Sequence, residues 1–386
     1  MTSIPLRIAM LAHSTNARGG VVHALELAEA LTRLGHTVAV HAPDPDGNGF
    51  FRQTRVPTVS VKAARTTGDV ATMVETRIAE YVSHFENSAH RGFDIFHAQD
   101  GISGNALVTL KQRGLVSHFA RTVHHVDDFS DPRLQALEQR SIASADRIFV
   151  VSRMWQRQLA ATSASPITVV GNGVDALRFA PKRSDLDTAL RTRLGLREGP
   201  VLLTVGGIEQ RKNTIHILEA FRQLHAVRPT AQLLIAGGAS VLDHQAYQAE
   251  FSTRLDAAGL PRSAVIRAGV IADTDMPSLY RLADTLVFAS VREGFGLAVL
   301  EAMASGIPVI ASHIAPFTEY LGDNDVVWCD PLNVGSIANA MATILAKPLR
   351  TRLSLNGLVV AHRHDWLQTA RAHIPVYDGL RELHHA

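Results

Sequence analysis

Residues 290–312 read SVREGFGLAVLEAMASGIPVIAS, and the rest of the chain takes its meaning from them. The apolar run Thr285 to Ala289 just upstream has the length and composition of a buried parallel strand. Glu293 follows, then Gly294 and Gly296, which permit tight backbone geometry and close approach of a ligand. From Leu297 the apolar spacing becomes helical. It stops at Gly306, and Pro308 opens another strand, Pro308 to Ala311. A helix beginning directly after a glycine turn offers free N–H groups and a positive dipole end to an anion. Glu293 precedes that helix and Glu301 lies inside it, and carboxylates accept the paired hydrogen bonds that vicinal sugar hydroxyls donate.

The same alternation extends in both directions. Val201 to Val205, Gln232 to Ala236 and Ala264 to Ala268 read as strands separated by helical stretches. Upstream, Ile8 to Ala12, Thr37 to His41, Phe93 to His97, Phe119 to His124, Arg147 to Val151 and Ile167 to Val170 form a second series. Val21, Leu25, Ala28 and Leu31 recur at helical spacing, and Gly35 stands where a helix C-terminal glycine belongs. Thr72 to Phe85 predicts an amphipathic helix with Met73, Ile78, Tyr81, Val82 and Phe85 on its apolar side and Glu75, Glu80 and Glu86 on the other. The pattern breaks into turn residues at Gly171-Asn172-Gly173-Val174-Asp175. Two alternating blocks predict an α/β protein of two Rossmann-like, doubly wound parallel-sheet domains with an active cleft between them. The expected boundaries are 1–173, 174–365, and a final helix, 366–386, packing back toward the N-terminal domain through Trp366, Ala370, Ile374, Tyr377 and Leu380.

Composition narrows the function. Of 386 residues, 38 are basic and 36 acidic, so the formal net charge of +2 supplies no electrostatic footprint for nucleic acid. The lone cysteine, Cys329, excludes an internal disulfide and a cysteine-based zinc cage. A cytoplasmic location is expected. The N-terminus, Met1 to Leu11, reads as a first strand and not as a signal peptide, and no apolar run reaches the ~18 residues of a membrane span. Peripheral membrane association stays open, and the oligomeric state is not legible.

One further group carries chemistry. His124, His125, Asp127 and Asp128 cluster after a strand, where open α/β sheets bind ligands. Asp44-Pro45-Asp46 imitates a metal-binding triplet, but its proline and Gly47 read as a turn. No metal site and no cofactor is expected.

The 290–312 segment resembles the E-x7-E motif of glycosyltransferase family 4, a retaining family of the GT-B architecture. Other segments resemble that family in the same order: Gly19-Gly20 and its helix, FDIFHAQD (93–100), RTVHHVDD (121–128), ADRIFVVS (145–152), VVGNGVD (169–175), VGGIEQRKN (205–213) and GVIADTDMPSLYRLAD (269–284). The resemblance implies a metal-independent transferase moving a hexose-type sugar from a nucleotide diphosphate sugar, a UDP- or GDP-sugar, to an unidentified acceptor hydroxyl. It implies that Glu293 meets the transferred sugar and that backbone amides at Phe295, Gly296 and Leu297 meet sugar and phosphate. It further implies that Glu301 binds the ribose, that Lys212 neutralises the diphosphate, that the Gly20 amide approaches it, and that His124 sits beside the reacting sugar. His125 and Asp127 are acceptor-side candidates. The family's diphosphate loop often begins Gly-Arg. Here it begins Gly206-Gly207, and Arg211 is the candidate replacement for the missing cation. The resemblance also implies front-face transfer, with the leaving phosphate helping to deprotonate the acceptor.

Three alternatives are weaker. A nicotinamide-dependent oxidoreductase needs G-x-G-x-x-G after the first strand, and HSTNARGGVV (13–22) lacks it. A GT-B epimerase or pyridoxal-dependent phosphorylase accounts less well for the colinear set. An inactive sugar-nucleotide-binding protein has only Gly207 in its favour.

Overall fold

The computed structural model describes residues 4–127, 129–238 and 244–385. Asp128, expected in the polar cluster, and the first three residues of the expected opening strand lie outside the described residues. The chain divides into two compact units, residues 1–172 with 366–386, and residues 173–365.

In the first unit the elements run β1 (Arg7–Leu11), α1 (Gly19–Arg33), β2 (Thr37–Asp44), β3 (Thr58–Lys62), α2 (Val70–Glu86), β4 (Ile95–Ala98), α3 (Gly101–Gln112), β5 (Ala120–Val123), α4 (Pro132–Ala143), β6 (Arg147–Val150), α5 (Arg153–Ala160) and β7 (Ile167–Val169). Among the described residues they build a seven-stranded parallel sheet in the order β3-β2-β1-β4-β5-β6-β7. Val21, Leu25, Ala28 and Leu31 of α1 are fully buried, and Gly35 holds φ +94°, the left-handed geometry that ends the helix.

Two local expectations change, and the turn at Asp44 holds. The strand series gains β3, an edge strand on β2 whose exposed alternate positions hid it. On α2, Arg77 is buried while Met73 and Ile78 are half-covered, because the Arg77 guanidinium pairs with Glu80 and donates to the Ala64 carbonyl. Asp44 ends β2, and its carboxylate accepts from the Asn48 and Gly49 amides and the Ser60 hydroxyl, tying the turn closed.

The second unit continues with α6 (Asp185–Arg193), β8 (Val201–Val205), α7 (Thr214–Val227), β9 (Gln232–Ala236), α8 (Gln245–Ala257), β10 (Val265–Gly269), α9 (Met276–Leu282), β11 (Thr285–Phe288), α10 (Leu297–Ala304), β12 (Val309–Ser312), α11 (Phe317–Tyr320), β13 (Val327–Cys329), α12 (Val334–Ile344) and α13 (Lys347–Arg363). Its described strands form a parallel sheet ordered β10-β9-β8-β11-β12-β13. The short edge strand β13 had no counterpart in the sequence reading. Leu202, Phe221, Leu233, Val287, Ile310, Ile337 and Met341 belong to its core. The final helix, α14 (Trp366–His385), belongs to the first unit and packs on α1. Trp366, Ala370, Tyr377 and Leu380 are buried as expected; Thr369 and His373 are buried as well, whereas Ile374 is only partly covered.

Each sheet has a switch point where strand order reverses, between β1 and β4 and between β8 and β11. Loops leaving the carboxyl ends of such a strand pair diverge to opposite faces and leave a crevice for ligands.

Candidate functional site

In the second unit the switch-point loops carry the predicted residues. After β8 the chain passes Gly206 and Gly207, both at positive φ, into a one-turn 3-10 segment, Gln210–Lys212. After β11 it passes through Glu293 to Gly296 and α10. Two cross-links hold these loops in register. The Val291 amide donates to the Arg211 carbonyl at 3.0 Å. Asn213, left-handed at φ +59°, donates its side-chain amide to the carbonyls of Ala289 (3.0 Å) and Pro331 (2.7 Å). A left-handed asparagine satisfying two buried carbonyls marks a constrained backbone.

The result is a compact charge cluster. Lys212 Nζ donates to Glu293 Oε1 at 2.6 Å, and Arg211 Nη1 donates to the same oxygen at 2.8 Å. Adjacent residues converge because the tight turn winds both toward one side. Glu209, also buried, lies 3.7 Å from the Arg211 guanidinium. The Lys212 stem crosses Gly206 so closely that a Cβ there would stand 2.4 Å from Cε, and its ammonium lies 4.5 Å from the centre of the Phe288 ring. Burial lowers the Lys212 pKa, and Glu293 only partly opposes this. Burial alone would raise the Glu293 carboxyl, but Lys212 and Arg211 outweigh it and hold Glu293 below the usual carboxylate range.

Gly296 has φ +99°, and a Cβ there would meet Phe317 Cε1 at 2.6 Å, so glycine is required both by conformation and by space. Leu297 begins α10 directly after it, leaving first-turn amides without helical partners. Phe295 is buried, stacked on Tyr320 at 4.7 Å, and the Tyr320 hydroxyl donates to the Phe295 carbonyl at 3.2 Å. Glu301 points to α9, where the Tyr280 hydroxyl donates to its Oε2 at 2.6 Å. Burial, then the Glu301 charge, pushes the Tyr280 phenol well above its ordinary pKa.

Sequence reasoning missed Asn213, Tyr280, Tyr320 and a glycine shelf. A Cβ on Gly237 would lie 2.4 Å from the Gly207 amide nitrogen, and one on Gly207 would lie 2.6 Å from the Gly238 carbonyl oxygen. The loops after β8 and β9 therefore pack backbone on backbone. Gly237-Gly238 after an apolar run was the available signal, and it also explains Gly207: an arginine there would have no room for its Cβ.

The first unit holds the other predicted set. Gly20 lies in the first turn of α1, and a Cβ on it would stand 3.4 Å from the His124 ring. The His124 ring is edge-on to His23 at 4.7 Å, and its Nε2 lies 3.2 Å from Gln99 Oε1. His23 Nδ1 in turn lies 2.6 Å from Asn172 Oδ1. Desolvation drives the His124 pKa well below its ordinary value, with His23 and His125 adding to the effect, so its imidazole is neutral at neutral pH. His125 is exposed and lies 3.1 Å from Asp127. Thus Gly20 and His124 are neighbours, while His125 and Asp127 form a separate surface pair. His23 and Gln99 escaped notice because their partners are remote in sequence. Among the described residues no group of three His, Cys, Asp or Glu side chains is placed to hold a metal ion.

Two Rossmann-like parallel-sheet units, each with predicted residues at its switch point, define the GT-B fold. The solved sucrose-phosphate synthase from Thermosynechococcus elongatus shares it: TM-score 0.81, 23% identity, 97% of this chain and 99% of that one. The description "Glycosyltransferase Family 4" matches residues 17–178, and "Glycosyl transferases group 1" matches residues 188–359. The chain belongs to glycosyltransferase family 4. It is 31% identical over 165 residues to the O-antigen chain mannosyltransferase B of Escherichia coli, covering 42% of each chain. It is also 31% identical over 222 residues to the lipopolysaccharide core biosynthesis mannosyltransferase LpsB of Rhizobium meliloti, covering 56% of this chain and 61% of that one. The matches span less than two thirds of these curated relatives.

Proposed function

We propose that the protein is a retaining, metal-independent hexosyltransferase that takes its sugar from a UDP- or GDP-sugar. The observation that carries this reading is the convergence of Arg211 and Lys212 on Glu293 beside the start of α10. Breaking the glycosidic C–O bond builds negative charge on the departing diphosphate. Two fixed cations and a helix start stabilise that charge more in the transition state than in the ground state. Charge-assisted hydrogen bonds contribute about 1.5–3 kcal/mol each, so two of them account for several orders of magnitude in rate without a divalent ion. In this reading Glu293 accepts from hydroxyls of the transferred sugar, and the Phe295, Gly296 and Leu297 amides cover sugar and phosphate. Glu301, oriented by Tyr280, accepts from the ribose. Gly20 offers an amide to the diphosphate, and neutral His124 contacts the sugar. His125 and Asp127 serve the acceptor, whose hydroxyl attacks the face the phosphate leaves and passes its proton to that phosphate. No cofactor takes part; the donor is a substrate. Two mannosyltransferases among the relatives support a hexose.

The test is a donor screen. UDP- and GDP-hexoses are incubated with the full chain, with and without a chelator, and sugar release to water is measured alongside thermal stabilisation. One donor should stabilise the fold and be hydrolysed in the chelator. Lys212→Ala should cut turnover more than donor affinity. Turnover that stops in chelator and returns with a divalent ion overturns metal independence. A wild-type rate in Lys212→Ala removes its role.

A further inference from the structure

His124, the proposed sugar contact, packs on three neighbours in the first unit. The Cδ2–Nε2 edge of its ring lies against Gly20, where a Cβ would stand 3.4 Å from Cδ2 and 3.6 Å from Nε2. Nε2 lies 3.2 Å from Gln99 Oε1. His23 packs edge-on at 4.7 Å without a hydrogen bond to the ring: its Nδ1 is 2.6 Å from Asn172 Oδ1, and its Nε2 has no hydrogen-bond partner among the described residues. Among the described residues no protein group bonds the His124 Nδ1, on a side chain that is half-buried. Gln99 itself is fixed. It is 2% exposed, its backbone amide donates to the Leu11 carbonyl at 2.9 Å, and its side-chain nitrogen lies 3.4 and 3.3 Å from His97 Nδ1 and Nε2. His97 is held in turn by the hydroxyls of Tyr377 on α14 and Thr122 on β5, each at 2.7 Å.

An amide oxygen only accepts, so the proton between Gln99 and His124 belongs to Nε2. A neutral imidazole carries one N–H, and the bond made by one nitrogen decides what the other offers. The titratable groups that act most strongly on His124 are His23 on α1, His97 on β4, and Arg121 and His125 on its own strand and loop, all of them bases; burial outweighs each in keeping the ring neutral. We propose that Gln99 is a positioning residue: by accepting from Nε2–H it holds His124 in the tautomer whose Nδ1 lone pair accepts a hydrogen bond from a hydroxyl of the transferred sugar. The tautomer stands on the geometry alone; the hydroxyl it serves rests on the proposed function. An acceptor at Nδ1 pairs with a hydroxyl and repels an ionised carboxylate or phosphate oxygen. The site therefore selects a hydroxyl at that position over the acid group of a uronic acid or phosphosugar. A neutral ring also places no positive charge beside a sugar that becomes cationic as its glycosidic bond breaks.

The experiment uses the full chain, labelled with nitrogen-15 at histidine and free of ligand. Two-bond proton–nitrogen correlation spectra at neutral pH read each tautomer directly, and His124 is assigned by the signals that His124→Phe loses. Wild type should show a protonated Nε2 and an unprotonated Nδ1. Gln99→Met removes the acceptor, so the two nitrogen signals should move toward each other as the tautomers mix. Hydrolysis of UDP-glucose or GDP-mannose, whichever the chain accepts, should fall about fivefold, the effect of one hydrogen bond. Gln99→Glu restores an acceptor and couples its titration to the ring. That pair should hold one extra proton in mild acid and release it as pH rises. Nε2–H then donates to the carboxylate, and hydrolysis should climb back toward the wild-type rate. A purely structural role for Gln99 predicts no such pH-dependent rescue. If either variant fails to fold, the wild-type spectrum carries the test. A protonated Nδ1 in wild type, or an unaltered spectrum in Gln99→Met, overturns the tautomer assignment. A mixed spectrum with undiminished hydrolysis overturns the link to the sugar. A protonated Nε2 in a chain that hydrolyses neither donor supports the assignment and sinks the transferase reading alone.

Discussion

Replacing Glu293 with glutamine keeps its shape and deletes the charge that two cations share. In the wild-type protein Lys212 and Arg211 stand 2.6 and 2.8 Å from one carboxylate oxygen, with side-chain exposures of 12% and 34%, against 7% for Glu293. Removing one member of a buried pair costs about 3–5 kcal/mol, since the partner charge stays buried without compensation. Arg211, a third exposed, is screened by water and adds little. Glu293→Gln should therefore lose about 3 kcal/mol in the second unit, a drop of roughly 6–12 °C in its calorimetric transition for a domain of this size. The sign with pH is fixed. Glu293 is the larger influence that raises Lys212, with Glu209 behind it, so without Glu293 the folded-state pKa of Lys212 falls further below the unfolded value. The unfolded chain then binds the extra proton, and the variant should regain stability as pH rises from neutral toward about 10. Adding Lys212→Met should recover most of the loss. The released cations should also bind inorganic pyrophosphate about tenfold more tightly by titration calorimetry. A variant within about 0.5 kcal/mol of wild type, with unchanged pyrophosphate affinity, would show that the three side chains do not act as one electrostatic unit.

Glu301→Ala should weaken nucleotide-sugar affinity about tenfold in calorimetry, and Tyr280→Phe less, because the tyrosine only orients the carboxylate; unchanged affinity in Glu301→Ala refutes the ribose contact. Asp187 is buried against Arg281. Burial would raise its carboxyl, but hydrogen bonds from Arg281 and Ser278 hold it at about 2. Its contribution, on the order of 2 kcal/mol, is present above the unfolded value of 3.8 and lost as pH falls through about 2. Asp187→Asn should thus lower stability at pH 7 and converge on wild type near pH 2, and parallel curves would contradict this. In the first unit, burial lowers His23 to about 4 and His373 to about 3. The unfolded chain takes up protons first, so stability should be complete above pH 6.5 and fall through pH 4. His23→Asn should flatten that slope in urea unfolding at stepped pH, and an unaltered slope would count against His23 as its source.

The parallel-sheet fold was legible from residue pattern. Buried strands such as Val201 to Val205 and Thr285 to Ala289 are continuous apolar runs, and Gly35, Gly296 and Gly306 stand where the chain must turn. These are short-range properties, carried by period and by the conformational freedom of one residue. β3 was not legible because its alternate positions are exposed, and β13 because its apolar run is only a few residues long. The inward positions of Arg77 and His373 were missed because what receives them comes from other segments; for His373 it is the Phe149 ring, 4.3 Å away. For Arg77 it is the Ala64 carbonyl, which the α2 periodicity cannot reveal.

The strand–glycine–helix unit put Glu293 and Glu301 forward as candidates, and the family resemblance put Lys212 forward. Only the tertiary structure decided what each one touches. The meeting of Arg211 and Lys212 at one oxygen depends on Asn213 and Val291 pinning two loops 80 residues apart in sequence to within hydrogen-bonding distance. The backbone contact between Gly207 and Gly237 depends on two neighbouring strands ending level. Local sequence sets which conformations a segment can adopt. Which side chains share a charge depends on long-range registry, set by the packing of the whole sheet.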